Sequence, residues 1–266
     1  MNIGRIRVGV GGWSFAPWRY NFYPRGLPQA QELGFASRRL SAIEINATFY
    51  RTQTPESFRR WAEESPEDFA FAVKAHRLTT HRKALAGNGP AIDHFLSSGL
   101  LELGEKLGPI VWQFAPTKRF EPDDFEAFLR LLPKTSGGRK LRHVLEVRHD
   151  SFCVEDFIAL ARRHECAICF AESDVYPAIA DVTADFIYAR LQKSAADLDA
   201  GYAPDAIDQW RDRARNWARG EQPVGLPYVS AAPAKARRAR DVFIFFIAGA
   251  KEKNPAAARA LIERLA

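Results

Sequence analysis

The chain carries only three cysteines in 266 residues: Cys153, Cys166 and Cys169. An odd count, in a chain long enough to fill its own core, argues against a disulfide framework and for a reducing compartment. Cys166 and Cys169 form a C-x-x-C, but no second pair completes a zinc set, and Ala167 and Ile168 between them follow an apolar strand pattern. Both thiols therefore read as core residues. No apolar run approaches the roughly 18 residues of a membrane span, and the opening MNIGRIRVGVGG lacks the pattern of a secretion signal. A soluble cytoplasmic protein with no membrane partner is expected. A dinucleotide fingerprint is also missing. Gly9-Val10-Gly11-Gly12 has no third glycine and leads into an aromatic loop instead of a helix. Histidine is scarce, at six residues, which argues against a metal cluster of the kind that cuts phosphodiesters.

What is present is a repeated unit. Eight short apolar runs each end in a polar or glycine-rich cluster: Gly11-Gly12-Trp13, Glu44-Ile45-Asn46, Lys74-Ala75-His76, Gln113, Glu146-Val147-Arg148-His149, Glu172-Ser173-Asp174, Arg190-Leu191-Gln192 and Ala248-Gly249. The intervals suit one strand and one helix per unit. The spacing predicts helices over 28–40, 55–64, 90–103, 121–132, 153–164 and 204–219, with a last one opened by Asn254-Pro255, and irregular chain around Tyr176-Pro177 and in PKTSGGRK. Apolar strands alternating with helices imply a parallel sheet buried on both sides. The predicted fold class is α/β, a TIM-like (β/α)8 barrel in a single domain over residues 1–266, with its core at about 7–250; the length is close to the roughly 250 residues typical of that fold. Such a barrel brings all eight run ends to one mouth.

At VGVGGWSF, FYPRGL, IEINATFYR, FAFAVKAHRLTTH, LGPIVWQFAP and LEVRHDSF, the chain resembles the YecE-like family, known as domain of unknown function 72. The resemblance runs in register from about residue 7 to 192. It implies a β/α barrel and brings no established activity. The family's seventh-strand motif resembles Arg-Leu-His-Gly, where this chain reads Arg190-Leu191-Gln192-Lys193. After the eighth strand the family shows an aromatic followed by Asn-Asn-Asp, where this chain has Phe246 followed by Ile247-Ala248-Gly249-Ala250. A histidine and an acid of that pattern are replaced here.

The candidate catalytic residues are Glu44, Lys74, His81, Glu146, His149 and Asp174. Glu44 and Asn46 alternate onto one side of a strand, where a carboxylate can accept a proton or orient a hydroxyl; its structural alternative is to neutralise a cation such as Lys74. Burial would depress the pKa of Lys74 unless an acid is near, and ion pairing is the commoner fate of such a lysine. It suits an anion anchor, a Schiff-base amine or a base. His81 occupies the family's Thr-His position. Glu146 and Arg148 are spaced to pair bidentately, and His149 suits acid/base work or a metal. With Glu172 and Asp174 as companions, one histidine makes a weak zinc set, so no metal is expected and no cofactor is indicated.

The candidate ligand-binding residues are Trp13, Asn46, Gln113, Arg148 and Arg190. Trp13, Trp18, Phe22 and Tyr23 suit either an aromatic lid over the mouth or a secondary core. The net charge of +6 suits anions. Part of it lies in Lys235, Arg237, Arg238 and Arg240, read as a solvated loop on the face opposite the mouth. The expected partner is a small anionic ligand, phosphorylated or sugar-like. Nucleic acid is the alternative, and a catalytically inactive scaffold the third reading.

Overall fold

A computed structural model describes residues 3–231 and 238–266. Eight parallel strands close into a barrel: β1 (Ile6–Gly11), β2 (Ala42–Ile45), β3 (Ala70–Lys74), β4 (Leu107–Gln113), β5 (His143–Glu146), β6 (Ala167–Glu172), β7 (Phe186–Leu191) and β8 (Asp241–Phe246). Each pairs with its neighbours in sequence, and β8 returns to β1. Strand alternation divides the core in two. Val8, Ile43, Val73, Ile110, Leu145, Phe170, Leu191 and Ile244 face outward into the helical layer. Ala42, Ala70, Ala72, Val111, Val144, Cys169, Phe186, Tyr188, Phe243 and Phe245 fill the lumen. The small side chains of β2 and β3 thus meet the rings of β7 and β8, as a closed interior of fixed diameter requires. At Gly9 the β1 and β2 backbones come so close that a Cβ would lie 1.8 Å from the Ala42 carbonyl oxygen, so only glycine fits.

The outer layer comprises α1 (Glu32–Ser37), α2 (Ala47–Tyr50), α3 (Pro55–Glu64), α4 (Gly89–Leu96), α5 (Pro122–Leu131), α6 (Glu155–Arg163), α7 (Pro204–Ala218) and α8 (Asn254–Leu265). Proline stands in the first turn of α3, α4, α5, α7 and α8, where its missing N–H has no intrahelical partner to lose. Thr54 caps α3 by accepting from the Ser57 amide at 3.3 Å.

The helix predicted over 28–40 is shorter, a 3-10 turn at Gln29–Gln31 followed by α1. The one predicted over 90–103 is two pieces. α4 ends at Leu96, Gly99 turns the chain at φ +104° against Pro55, and a 3-10 segment runs from Leu100 to Lys106. Part of PKTSGGRK forms a two-stranded ribbon, Thr135–Ser136 with Arg139–Lys140. Between β6 and β7 no helix intervenes. The irregular segment instead drops Ile179 and Val182 into the core, and the Thr183 hydroxyl donates to the Cys166 carbonyl at 2.6 Å while accepting from the Ile168 amide at 3.1 Å.

Cys166 and Cys169 are both buried, on opposite sides of β6, and Cys153 is exposed. Of the basic stretch, Lys235 and Arg237 lie outside the described residues; Arg238 is exposed, but Arg240 is buried, not solvated. No described helix is long and apolar enough to cross a membrane.

Candidate functional site at the barrel mouth

The alternation that places alanines in the lumen brings polar side chains to its C-terminal end: Ala42 then Glu44, Ala72 then Lys74, Val111 then Gln113, Val144 then Glu146, Tyr188 then Arg190. Gln113 and Glu146 are register partners on adjacent strands, and the amide donates to Glu146 Oε2 at 2.7 Å. Arg190 crosses the lumen. Its Nη2 donates to Glu44 Oε1 at 2.9 Å and its Nη1 meets Glu146 Oε1 at 2.5 Å, so one guanidinium ties β7 to both β2 and β5. Below it, the Tyr188 hydroxyl donates to Glu44 Oε2 at 2.5 Å. Arg148 adds Nε at 3.1 Å and Nη2 at 2.8 Å to the same Glu146 oxygen. The expected Glu146–Arg148 pair is therefore present as a fork on one oxygen, shared with Arg190.

Both carboxylates are buried, and each oxygen of both has a donor. Burial by itself would raise the Glu146 pKa, but Arg190, Arg148 and Lys74 outweigh it and hold the carboxyl at about 2. Burial and the neighbouring Glu44 carboxylate push Tyr188 well above its ordinary value, so it stays a neutral donor.

Lys74 is different. It is 6% exposed, and Glu44 does not pair with it; the carboxylate's cation is Arg190. Among the described residues Lys74 Nζ has no acid or hydrogen-bond partner, and it sits 4.1 Å above the Phe49 ring centroid. Burial, reinforced by Arg190, brings the amine from 10.5 down to about 8 against the pull of Glu146 and Glu44. His81 packs edge-on to the same Phe49 ring at 5.3 Å, and partial burial with Lys74, Arg148 and Arg77 nearby lowers its pKa too. Two further donors near the mouth end without acceptors among the described residues: Arg190 Nε, and the Nε2 of Gln192, the residue where the family pattern has histidine.

Other candidates lie outside this cluster. His149 Nδ1 accepts from the Ser151 amide at 3.1 Å and lies 2.9 Å from the Ser151 hydroxyl, capping a short turn over Asp150–Phe152. Asp174 is exposed and pairs with Lys193. Glu172 points outward to the Tyr202 hydroxyl, which donates at 2.6 Å. Of the aromatic loop, Trp18 and Tyr23 are buried as a secondary core and not a lid, and Phe22 packs between them. Trp13 meets Trp61 edge-on at 5.2 Å and, with Asn46, Tyr50, Arg51 and Lys251, lines a groove of about 950 Å³ over the ends of β1, β2 and β8. A second cavity of about 570 Å³ opens on the other flank, beside His81 and Lys118. Among the described residues no three His, Cys, Asp or Glu side chains gather in a way that would hold a metal ion.

Sequence reasoning missed Tyr188, Phe49 and Tyr176, whose ring stacks on Arg148 at 4.3 Å. Tyr188 was recoverable, since it stands two residues before Arg190 on the same strand. Phe49 sits on the single-turn α2 and Tyr176 on the irregular β6–β7 segment, both too short or irregular for any periodicity to encode.

The model of the family described as "Protein of unknown function DUF72" matches residues 7–266, and the chain belongs to that family. A stretch of 147 residues is 27% identical to the UPF0759 protein YecE of Escherichia coli; it covers 55% of this chain and 50% of that one, so the chain spans about half the length of this relative. A DUF72 family protein from Thermotoga maritima shares the fold with a TM-score of 0.73 at 17% identity, over 98% of both chains. One from Enterococcus faecalis does so with a TM-score of 0.69 at 15% identity, over 100% of this chain and 99% of that one.

Proposed function

We propose that the mouth of this DUF72 barrel binds a small molecule carrying one anionic group, a phosphate or a carboxylate, with Lys74 as its anchor. The observation that carries this reading is the unequal use of the three cations. Arg190 and Arg148 are committed to Glu44 and Glu146, whereas Lys74 is a buried side chain whose ammonium has no acid partner among the described residues. Desolvating an ammonium without a counter-ion costs free energy that an arriving anion recovers in a medium where Coulomb terms are strong. Arg190 Nε and Gln192 Nε2 support the same reading, because buried donors without acceptors suit an oxygen-rich ligand. The outer edge of Arg148, held against Tyr176, is the second contact for the anion.

Thermal unfolding with inorganic phosphate tests the reading. Stabilisation of the unmodified protein should grow with concentration, reaching about 2.7 kcal/mol at a hundred times the dissociation constant. It should vanish in Lys74→Met and persist in Asp174→Asn. If neither phosphate nor small carboxylates stabilise the protein, the anchor has no ligand of this class.

A further inference from the structure

We infer that Lys74 is also a nucleophile: its amine captures the carbonyl carbon of a small 2-oxo acid or phosphorylated ketone as an imine. This rests on the mouth being the anion site proposed above, and it specifies the substrate class. The geometry differs from that of a structural lysine. The side chain leaves β3 on the lumen side, its nitrogen meets no acid, and the faces around it are Phe49 from α2, His81 from the loop after β3, Arg190 from β7 and the Arg148–Glu146 pair after β5. An ammonium locked in an ion pair has no lone pair to offer. Here the carboxylates that would hold the proton on nitrogen are saturated by arginines.

The lowered pKa adds to this. At pH 7 an amine titrating at about 8 is neutral roughly 300 times more often than one at 10.5. A substrate carboxylate or phosphate on the outer edge of Arg148 would then bring the neighbouring carbonyl toward Nζ, because Arg148 pairs with Glu146 and Lys74 lies near enough to act electrostatically on the same carboxylate.

In the first step the nitrogen lone pair forms the C–N bond while the carbonyl π pair moves to oxygen. The N–H proton shed by nitrogen passes to that oxygen, giving a carbinolamine. In the second step the nitrogen lone pair forms C=N as the C–O bond breaks. The leaving hydroxide takes one proton from solvent, so free amine, carbonyl compound and proton become protonated imine and water. His81, on the shared Phe49 ring and with its pKa lowered, is placed to relay these protons.

Reductive trapping tests the inference. The full chain is incubated at pH 7 with pyruvate or dihydroxyacetone phosphate and cyanoborohydride, and the adducts are mapped by peptide mass spectrometry. Lys74 should be labelled at least tenfold faster than the exposed Lys193 or the half-buried Lys251. Neutral dihydroxyacetone should label it more slowly than its phosphate, and inorganic phosphate should protect it. Lys74→Arg, which retains the charge, should keep the phosphate-induced stabilisation and lose the adduct. Labelling spread evenly over surface lysines, with phosphate still stabilising the protein through Lys74, would overturn the nucleophile and leave the anion site standing. Absence of both labelling and phosphate stabilisation would remove the two together.

Discussion

Lys74 and Arg190 enter the same lumen beside a common carboxylate pair, yet removing each should have opposite effects. Arg190→Met leaves Glu44 and Glu146 buried around a missing guanidinium, and the expected loss is about 3–5 kcal/mol in denaturant unfolding. Lys74→Met removes a largely desolvated charge with no acid partner among the described residues, and the expected gain is about 1–3 kcal/mol at pH 7. A destabilised Lys74→Met would mean that the amine has a partner. At this scale the sequence was informative about direction and silent about pairing. Two-residue alternation put Glu44 with Asn46 and Glu146 with Arg148 on one side of their strands, and barrel closure brought the run ends Lys74, Gln113 and Arg190 to the same mouth. Which cation meets which acid depends on Arg190 reaching across the lumen from β7 to β2, past β8 and β1, a distance set by barrel diameter and not by spacing in the chain.

Elements were legible where a start signal and an apolar face coincided, as at Thr54-Pro55 and Asn254-Pro255. They were misread where a glycine with positive φ divides an otherwise helical pattern, as at Gly99. The missing helix between β6 and β7 is the larger departure from a regular barrel. Its place is held by polar latches: Asp181 accepts from the Val229 amide at 2.7 Å and the Ser230 amide at 3.0 Å, and the Ala180 amide donates to the Pro227 carbonyl at 2.9 Å. These contacts join segments nearly fifty residues apart, beyond the reach of any local pattern. Asp181→Ala should cost about 1–3 kcal/mol and speed hydrogen exchange at Val229 and Ser230 well above that at β7. Unchanged exchange there would show that the apolar contacts of Ile179 and Val182 suffice.

For the whole molecule, the mouth predicts an asymmetric response to pH. The Glu146 carboxyl is depressed in the fold, so its stabilisation is complete above its ordinary 4.5 and is lost as pH falls toward about 2. Lys74 is depressed as well, which for an amine is a penalty: it is present in full below about 8 and relieved as pH rises toward 10.5. Both contributions therefore increase stability with pH, in separate windows. Glu146→Gln should flatten the acid limb and Lys74→Met the alkaline one, measured by urea unfolding across pH. The fold was readable as a whole because eight polar-ended apolar runs leave few other closed arrangements. The ligand was not, because the unpaired state of one amine is a property of the assembled mouth.

Nuclear magnetic resonance titration of the Lys74 side chain, with and without inorganic phosphate, tests the central claim most directly. The amine should titrate near 8 in the free protein and shift upward when phosphate is added. A Lys74 that titrates above 10 and ignores phosphate would contradict an unpaired, anion-seeking lysine at the mouth.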